Sequence, residues 1–169
     1  KGSADEPEDN SSVKITNVMS NQQANIIRVV QSILFPDDGN GPSVEAINAF
    51  PYLLWYLQDE LIEKYERDFF IRGADWVNQE SVATTSIPFL ELSIETQTKL
   101  VGLLAKKKKT KVWLSKLLTS IFEALLADPI YGGNSNEIGW EWLGHNPGSP
   151  RPEERNSYPN IIKTVRNEI

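Results

Sequence analysis

Cysteine is absent from this chain of 169 residues, and histidine occurs once, at position 145. The absence of cysteine excludes disulfides, thiolate metal sites and cysteine nucleophiles. One histidine cannot form a metal-binding histidine cluster, and no motif places it in a catalytic triad. The chain also has no glycine-rich phosphate loop after a strand and no dinucleotide-binding fingerprint. We therefore expect no catalytic, cofactor-binding or metal-binding residue here.

Net positive charge and long apolar runs are missing as well. The formal charge of −6 argues against nucleic-acid binding, which requires a cationic face. No run approaches the roughly 20 apolar residues of a bilayer span, so we expect a soluble chain that meets a membrane only through partners or a removed N-terminal anchor. A hydrophobic content of 40% is enough for one core, and nothing indicates a second domain.

The first 16 residues are polar and acidic, and they contain almost no apolar side chain. Such a segment cannot offset its ordering entropy, so we predict a disordered or extended tether over 1–16 and a helical domain over 17–169. The chain does not begin with methionine. Both observations suit an exported protein whose targeting segment was removed, and they suit a lipoprotein processed just upstream equally well.

From Ser20 onwards the apolar residues recur with helical period. Ser20 and Gln23 form a predicted capping box, and Phe35-Pro36 should end this first helix. Ser43 is a predicted cap for a second, central helix with a kink at Pro51. The predicted buried stripes of these two helices contain Ile26, Val30, Ile33 and Leu34, then Ile47, Phe50, Leu54, Leu57 and Leu61, widened by Trp55 and Ile62.

The second half of the chain continues the helical pattern. Residues 63–88 are predicted as helix followed by loop, because Gly73 interrupts a loose apolar spacing. Ser93 opens a further helix, and the most regular stripe leads to Asp128-Pro129, through Val112, Leu114, Leu117, Leu118, Ile121 and Leu125. No sustained alternation with period two occurs. The predicted fold is all-α, an irregular bundle of about five helices with a long ordered C-terminal loop extension from about residue 128.

Glycine, proline and aromatic residues are concentrated in that extension, which is therefore the candidate site. Glycines permit unusual backbone geometry and close approach, while tryptophan and tyrosine are typical anchors at protein interfaces. The aromatic side chains could instead stack on a sugar ring or fold back onto the bundle. The predicted partner-interface residues are Tyr131, Gly132, Gly133, Asn134, Trp140, Trp142, His145 and Arg151.

Two candidates also have plainer interpretations. His145 could contact a substrate or a partner carboxylate, but a loop histidine more commonly holds a turn through a backbone carbonyl. The lysine run at 106–109, with Lys111, could dock an acidic partner or anionic lipid headgroups. A solvated helix end is favoured for the run, because lysines stabilise the negative end of a helix dipole.

The order of these motifs resembles the gluconate 2-dehydrogenase subunit 3 family. The resemblance covers roughly residues 20–152 and rests on Ile33 to Asp38, the Tyr-Gly-Gly-Asn sequence at 131–134, Gly139-Trp140, Leu143-Gly144 and Arg151-Pro152. It implies a non-catalytic small subunit that binds and stabilises a FAD-dependent sugar or sugar-acid dehydrogenase of the glucose-methanol-choline type. FAD would then be held by the partner.

The same resemblance implies further expectations about location and assembly. Such complexes often include a cytochrome c subunit and act in the periplasm, and the small subunit is thought to escort the folded flavoprotein through the twin-arginine route. No twin-arginine stretch is present in this sequence. The alternative is a stand-alone carbohydrate-binding helical module, with an independent enzyme third.

Overall fold

The computed structural model describes residues 18–148, 151–154 and 157–167. All regular elements within these ranges are helical, which confirms the predicted all-α class. The predicted N-terminal tether lies outside the described residues. The described ranges contain seven α-helices: α1 Asn21–Leu34, α2 Ala49–Gln58, α3 Lys64–Thr85, α4 Ile94–Leu104, α5 Lys108–Leu126, α6 Ile138–Leu143 and α7 Tyr158–Asn167. Short 3-10 turns cover Phe89–Glu91, Pro129–Tyr131 and Ser135–Glu137.

The hydrophobic core lies between α1, α3 and α5, which contact one another, while α2 packs mainly against α5. Burial of apolar side chains here is the main source of stability, at about 25 cal/mol per Å² removed from water. The predicted stripes of α1, α2 and α5 supply most of it. Fully or nearly fully buried members include Ile26, Val30, Ile47, Leu57, Leu117 and Ile121.

The start of α1 is stabilised by the predicted capping box. The Ser20 hydroxyl accepts a hydrogen bond from the Gln23 backbone N–H at 3.2 Å, and the Gln23 side-chain oxygen accepts one from the Ser20 N–H at 2.9 Å. Two N–H groups that the helix leaves unpaired are thereby satisfied. The Gln23 amide also donates to the Asp75 carboxylate at 2.9 Å, which ties the start of α1 to α3.

The second predicted helix begins later than its sequence suggests. The Ser43 hydroxyl accepts from the Ala46 N–H at 3.2 Å and so caps a turn, whereas α2 starts at Ala49 after Asn48 in a left-handed conformation. Pro51 falls in the first turn of α2, where a proline displaces no helical hydrogen bond, so the predicted kink is wrong. Leu61 lies beyond α2 and is 38% exposed, so its assignment to the core stripe is also wrong.

Residues 64–85 form one continuous helix, which corrects the prediction of helix followed by loop. Gly73 lies inside α3 and is buried. The Trp113 indole occupies the space beside it and donates to the Phe70 carbonyl at 2.9 Å. Gly73 is therefore a close-packing position, and it does not end the helix.

The lysine run spans the junction between α4 and α5. Lys107 precedes α5 and forms an ion pair with Glu80 at 2.6 Å, as expected for an exposed helix end. Lys109 lies in the first turn of α5, where the helix dipole disfavours a cation, and its ammonium is 3.6 Å from the centroid of the Trp76 ring. The predicted stabilisation by the negative end of a helix dipole therefore applies only to Lys106 and Lys107, which follow α4.

Candidate protein-docking surface

The extension after α5 is a series of turns followed by α6 and α7, and is helical in part. The Asp128 carboxylate accepts from the Ile130 N–H at 3.1 Å and caps the turn Pro129–Tyr131. Gly132 follows with φ of 88°, a conformation that disfavours other L residues. The chain is thereby turned back towards α5.

Asn134 ties three separate segments together. It is fully buried, and its backbone N–H donates to the Ile47 carbonyl at 2.9 Å. Its side-chain amide donates to the Ala127 carbonyl at 3.1 Å and accepts from the Gly139 N–H at 2.7 Å. Because these polar groups lie away from water, each bond avoids the cost of a buried unpaired group. Asn134 therefore holds the shape of the extension.

Two glycines allow the extension to lie directly on α5. A Cβ at Gly133 would be 2.7 Å from the Ala124 carbonyl oxygen, and one at Gly139 would be 2.3 Å from the Leu125 carbonyl oxygen. Both distances are too short for a side chain. The glycines are required for packing within the chain.

Trp140 is packed inward, with only 5% of its surface exposed. Its indole N–H donates to the Leu126 carbonyl at 2.9 Å, which is one of the carbonyls left unpaired at the end of α5. The guanidinium of Arg151 lies over the ring, 4.8 Å from its centroid. Trp140 thus fixes α6 against α5 and leaves little surface for a partner.

Arg151 and His145 cover Trp140 from outside. Arg151 pairs with Asp128 at 2.9 Å and with Glu137 at 2.7 Å, and these hydrogen bonds raise the pKa of its guanidinium. His145 donates its backbone N–H to the Trp140 carbonyl at 2.8 Å, and its ring meets the Trp140 ring edge-on at 5.7 Å. The bond that holds this turn comes from the main chain, whereas the plainer interpretation of His145 involves its imidazole ring, so both interpretations of the side chain stay predictions.

Trp142 is the more exposed tryptophan of α6, with 46% of its surface accessible. Its indole donates to the Asn40 carbonyl, and its ring covers Gly41, where a Cβ would lie 2.8 Å from the ring. The same ring borders a cavity of about 200 Å³ that reaches Phe35. Trp142 therefore joins the extension to the loop between α1 and α2 and keeps one face open.

Tyr131 belongs to a row of three aromatic rings. Its ring lies 5.5 Å from that of Trp55, and Trp55 lies 5.5 Å from Tyr52. Such spacings are typical of stabilising aromatic pairs. The Tyr131 hydroxyl also accepts from the Tyr158 N–H at 3.4 Å, which brings the start of α7 to the row.

Next to this row lies an open, largely apolar depression of about 470 Å³, which we call the aromatic depression. Phe122 and Leu126 form one wall and are 45% and 54% exposed. Phe122 also makes an edge contact with Phe35 at 6.2 Å, which links the depression to the surface near Trp142. The depression is lined by Tyr52, Thr119, Phe122, Glu123, Leu126, Ala127, Asp128 and Tyr131.

The charged groups beside the depression are partly desolvated. Burial, followed by repulsion from Glu66, raises the pKa of the Glu123 carboxyl. Burial, followed by repulsion from Glu66 and Glu123, raises the pKa of Tyr56 to about 12. Burial, followed by repulsion from Glu123, raises the pKa of Tyr52. Lys116 pairs with Glu66 at 2.6 Å and offsets part of the repulsion. The aromatic depression therefore has an acidic edge.

The predicted interface residues fall into two groups. Gly133, Asn134 and Trp140 are buried inside the chain and shape the extension, whereas Trp142 and His145 are exposed and Tyr131 is half-buried. Gly132 is exposed at its turn. The sugar-stacking alternative rests on Tyr131, Asn134, Trp140 and Trp142. Burial removes Asn134 and Trp140 as direct contacts, whereas Trp142 and Tyr131 stay accessible. The interface role of the accessible residues stays a prediction.

The residues that sequence reasoning missed are on α5 and α2. Phe122 and Leu126 lie four positions apart but outside the buried stripe, so the periodicity gave them no role. Tyr52 likewise lies outside the buried stripe of α2, so the periodicity gave it no role either. Two large apolar residues at helical spacing on an otherwise solvated face would have been the available signal.

Metal-binding clusters and membrane-spanning helices are both missing from the described residues. Within these ranges, no group of three or more histidine, aspartate or glutamate side chains is placed to hold a metal ion. Likewise, none of the helices there combines the length and apolar character that crossing a bilayer demands.

The fold and surface are those of a small all-helical protein with a preorganised C-terminal segment. The family model for gluconate 2-dehydrogenase subunit 3 matches residues 21–148, which is more than half of the chain. The chain belongs to this family, whose name describes one subunit of a multi-subunit dehydrogenase. Neither the curated proteins nor the solved structures contain a significant match.

Proposed function

We propose that this chain is a non-catalytic small subunit that binds and stabilises a FAD-dependent sugar or sugar-acid dehydrogenase of the glucose-methanol-choline type. Membership of the subunit 3 family supports an accessory role in a dehydrogenase complex. FAD belongs to the catalytic partner in this proposal, and a cytochrome c subunit is a further component. From the family resemblance we further propose that the chain escorts the folded flavoprotein through the twin-arginine route. The complex would then reside in the periplasm.

The aromatic depression is the observation that carries the docking part of the proposal. Exposed large apolar side chains that are held in one conformation lose little entropy when a partner covers them. Phe122 and Leu126 project from a regular helix, and the neighbouring turn is held by Asn134 and by Arg151. Such rigid apolar positions are typical of the centres of protein interfaces.

The experiment co-expresses a tagged chain with the flavoprotein and measures how much flavin co-purifies. Phe122→Ala should lower affinity by about thirtyfold, since loss of an aromatic anchor commonly costs about 2 kcal/mol or more. Leu103→Ala is the matched control, because Leu103 is 53% exposed on α4 and does not line the depression. Thermal melts of both variants establish that each is folded.

A loss of flavoprotein binding in the control variant alone would contradict the assignment of the aromatic depression as the docking surface. If Leu103→Ala releases the flavoprotein and Phe122→Ala does not, the docking surface lies elsewhere.

The chain expressed alone should be colourless and inactive with a dye acceptor. Tightly bound FAD in that sample would refute the non-catalytic role, and a free sugar that shifts the Tyr131 ring resonances would support the carbohydrate-binding alternative.

A further inference from the structure

The lysines at 106–109 and Lys111 are all exposed around the start of α5, and we call this cationic surface the lysine patch. Two of its members have partners within the chain, because Lys107 pairs with Glu80 and the Lys109 ammonium lies over the Trp76 ring. Within the described ranges, Lys106, Lys108 and Lys111 have no acidic partner. The chain contains 23 acidic and 17 basic residues, so these cations are not unpaired for want of carboxylates.

The position of the patch is electrostatically unfavourable for α5. Lys108, Lys109 and Lys111 lie in the first turn of this helix, which carries no acidic residue. The positive end of the helix dipole repels cations, and neighbouring lysines also repel one another. An anion with several charges beside the patch would reduce both kinds of repulsion.

The chain itself contains a segment with this chemistry. Residues 5–9 read Asp-Glu-Pro-Glu-Asp, which places four carboxylates within five positions. No other stretch of five residues in the sequence carries as many acidic side chains. The segment lies outside the described residues, and we call it the acidic segment.

The chain enters the bundle at the same level of α3 as the lysine patch. Gln23, in the first turn of α1, donates to the Asp75 carboxylate at 2.9 Å. The next residue along α3 is Trp76, whose ring lies 3.6 Å from the Lys109 ammonium. The start of α1 and the lysine patch therefore contact adjacent positions of one helix, on different sides of it.

The acidic segment is close enough in sequence to extend across α3. Nine residues lead from Asp9 to Val18, the first described residue. Nine residues can span at most about 30 Å, whereas a helix with its side chains is about 10–12 Å across. A segment joined to its site by a short linker meets that site at an effective concentration on the order of 1 mM. A dissociation constant of about 1 mM is therefore enough to occupy the patch for about half of the time.

We propose that the acidic segment binds the lysine patch of the same chain through charge pairing. Each exposed ion pair contributes little, so the interaction depends on several pairs and on the short connection. An acidic partner or an anionic surface would then gain access to the patch only by displacing the segment. The proposal does not depend on the proposed function.

The absence of cysteine makes a direct test simple. Ser3→Cys carries a nitroxide spin label next to the acidic segment, and NMR measures how strongly the label broadens each backbone amide signal. The amides of Lys108 and Lys111 should broaden more than that of Lys64, which begins the opposite end of α3. Raising NaCl from about 0.1 M to about 1 M should remove most of this difference, because the Debye length falls from about 10 Å to about 3 Å.

Charge variants in the labelled chain identify the groups responsible. Neutralisation of the acidic segment should abolish the excess broadening, and so should neutralisation of the unpaired lysines. The two sets of changes are Asp5→Asn, Glu6→Gln, Glu8→Gln and Asp9→Asn, and Lys106→Gln, Lys108→Gln and Lys111→Gln. Lys64→Gln is the matched control and should change nothing. Replacing the four acids by lysine and the three lysines by glutamate in one chain should restore the broadening, because the charges remain complementary.

The proposal is overturned if the patch amides broaden no more than that of Lys64. It is equally overturned if the excess broadening persists in 1 M NaCl or after the acidic segment is neutralised, while thermal melts show that each variant is folded. The patch would then be open to an external anion. Co-sedimentation of the chain with phosphatidylglycerol vesicles would in that case distinguish lipid headgroups from an acidic protein.

Discussion

Replacement of Gly73 by alanine tests the packing between α3 and α5. An ideal Cβ at this position would lie 1.8 Å from Trp113 Nε1 and 2.0 Å from Trp113 Cε2, which no side chain tolerates. Trp113 is fully buried, so its rigid indole cannot move into solvent without opening the core. The variant must shift the ring, and with it the bond to the Phe70 carbonyl.

The expected loss of stability follows from three opposing effects. Overpacking costs about 1–3 kcal/mol, and loss of the buried Trp113 hydrogen bond costs about 1–3 kcal/mol more. Alanine has a helix propensity about 1 kcal/mol better than glycine, which offsets part of this. We therefore expect Gly73→Ala to lower the free energy of unfolding by about 1–5 kcal/mol.

Urea denaturation of matched variants measures this change. Gly102 on α4 is the control, because a Cβ there meets nothing within 4 Å, and Gly102→Ala should stabilise by about 0.4–1 kcal/mol. Adding Trp113→Phe to Gly73→Ala should cost less than the two single losses together, since the smaller ring makes room. A Gly73→Ala variant as stable as the parent chain would refute the packing argument.

Three further outcomes follow from burial, hydrogen bonding and titration. Leu57→Ala should destabilise by about 2–5 kcal/mol because Leu57 is fully buried, and half-buried Leu118→Ala should cost less; equal losses in urea melts would contradict this order. Asn134→Ala should cost at least about 2 kcal/mol by unpairing two buried backbone groups, and an unchanged melt would show that the amide does not hold the extension. The raised pKa of Tyr56 means that the folded state retains a proton which the unfolded state loses above about pH 10, so stability should fall from there towards pH 12. Tyr56→Phe should flatten this decline, and an identical alkaline profile would contradict the assignment.

The parts of the fold that could be predicted are those with local causes. The capping box at Ser20 and the end of α5 before Asp128-Pro129 depend on neighbouring residues, and both are present in the structure. The continuous α3 could not be predicted, because the reason for Gly73 is a tryptophan far away in sequence. A glycine that permits close packing and one that ends a helix look alike in sequence alone.

The candidate surface was predictable to a smaller extent. The concentration of glycine and aromatic residues located the extension, but it could not show that Trp140 turns inward onto the end of α5. That orientation depends on the close approach at Gly139, which is a tertiary contact. Phe122 belongs to no sequence motif. Its exposure is evident only from the structure, which shows which face of α5 is buried.

The hydrogen bond from the Asn134 backbone to the Ile47 carbonyl has a consequence for the order of folding. These two residues are distant in sequence, and contacts of this kind form late because a long chain segment must first be closed. The turn that borders the aromatic depression is thus completed only after the start of α2 has been positioned. A nascent chain that has not yet extended beyond residue 134 would lack this hydrogen bond. In the docking role proposed above, the depression would therefore be complete only on finished subunits.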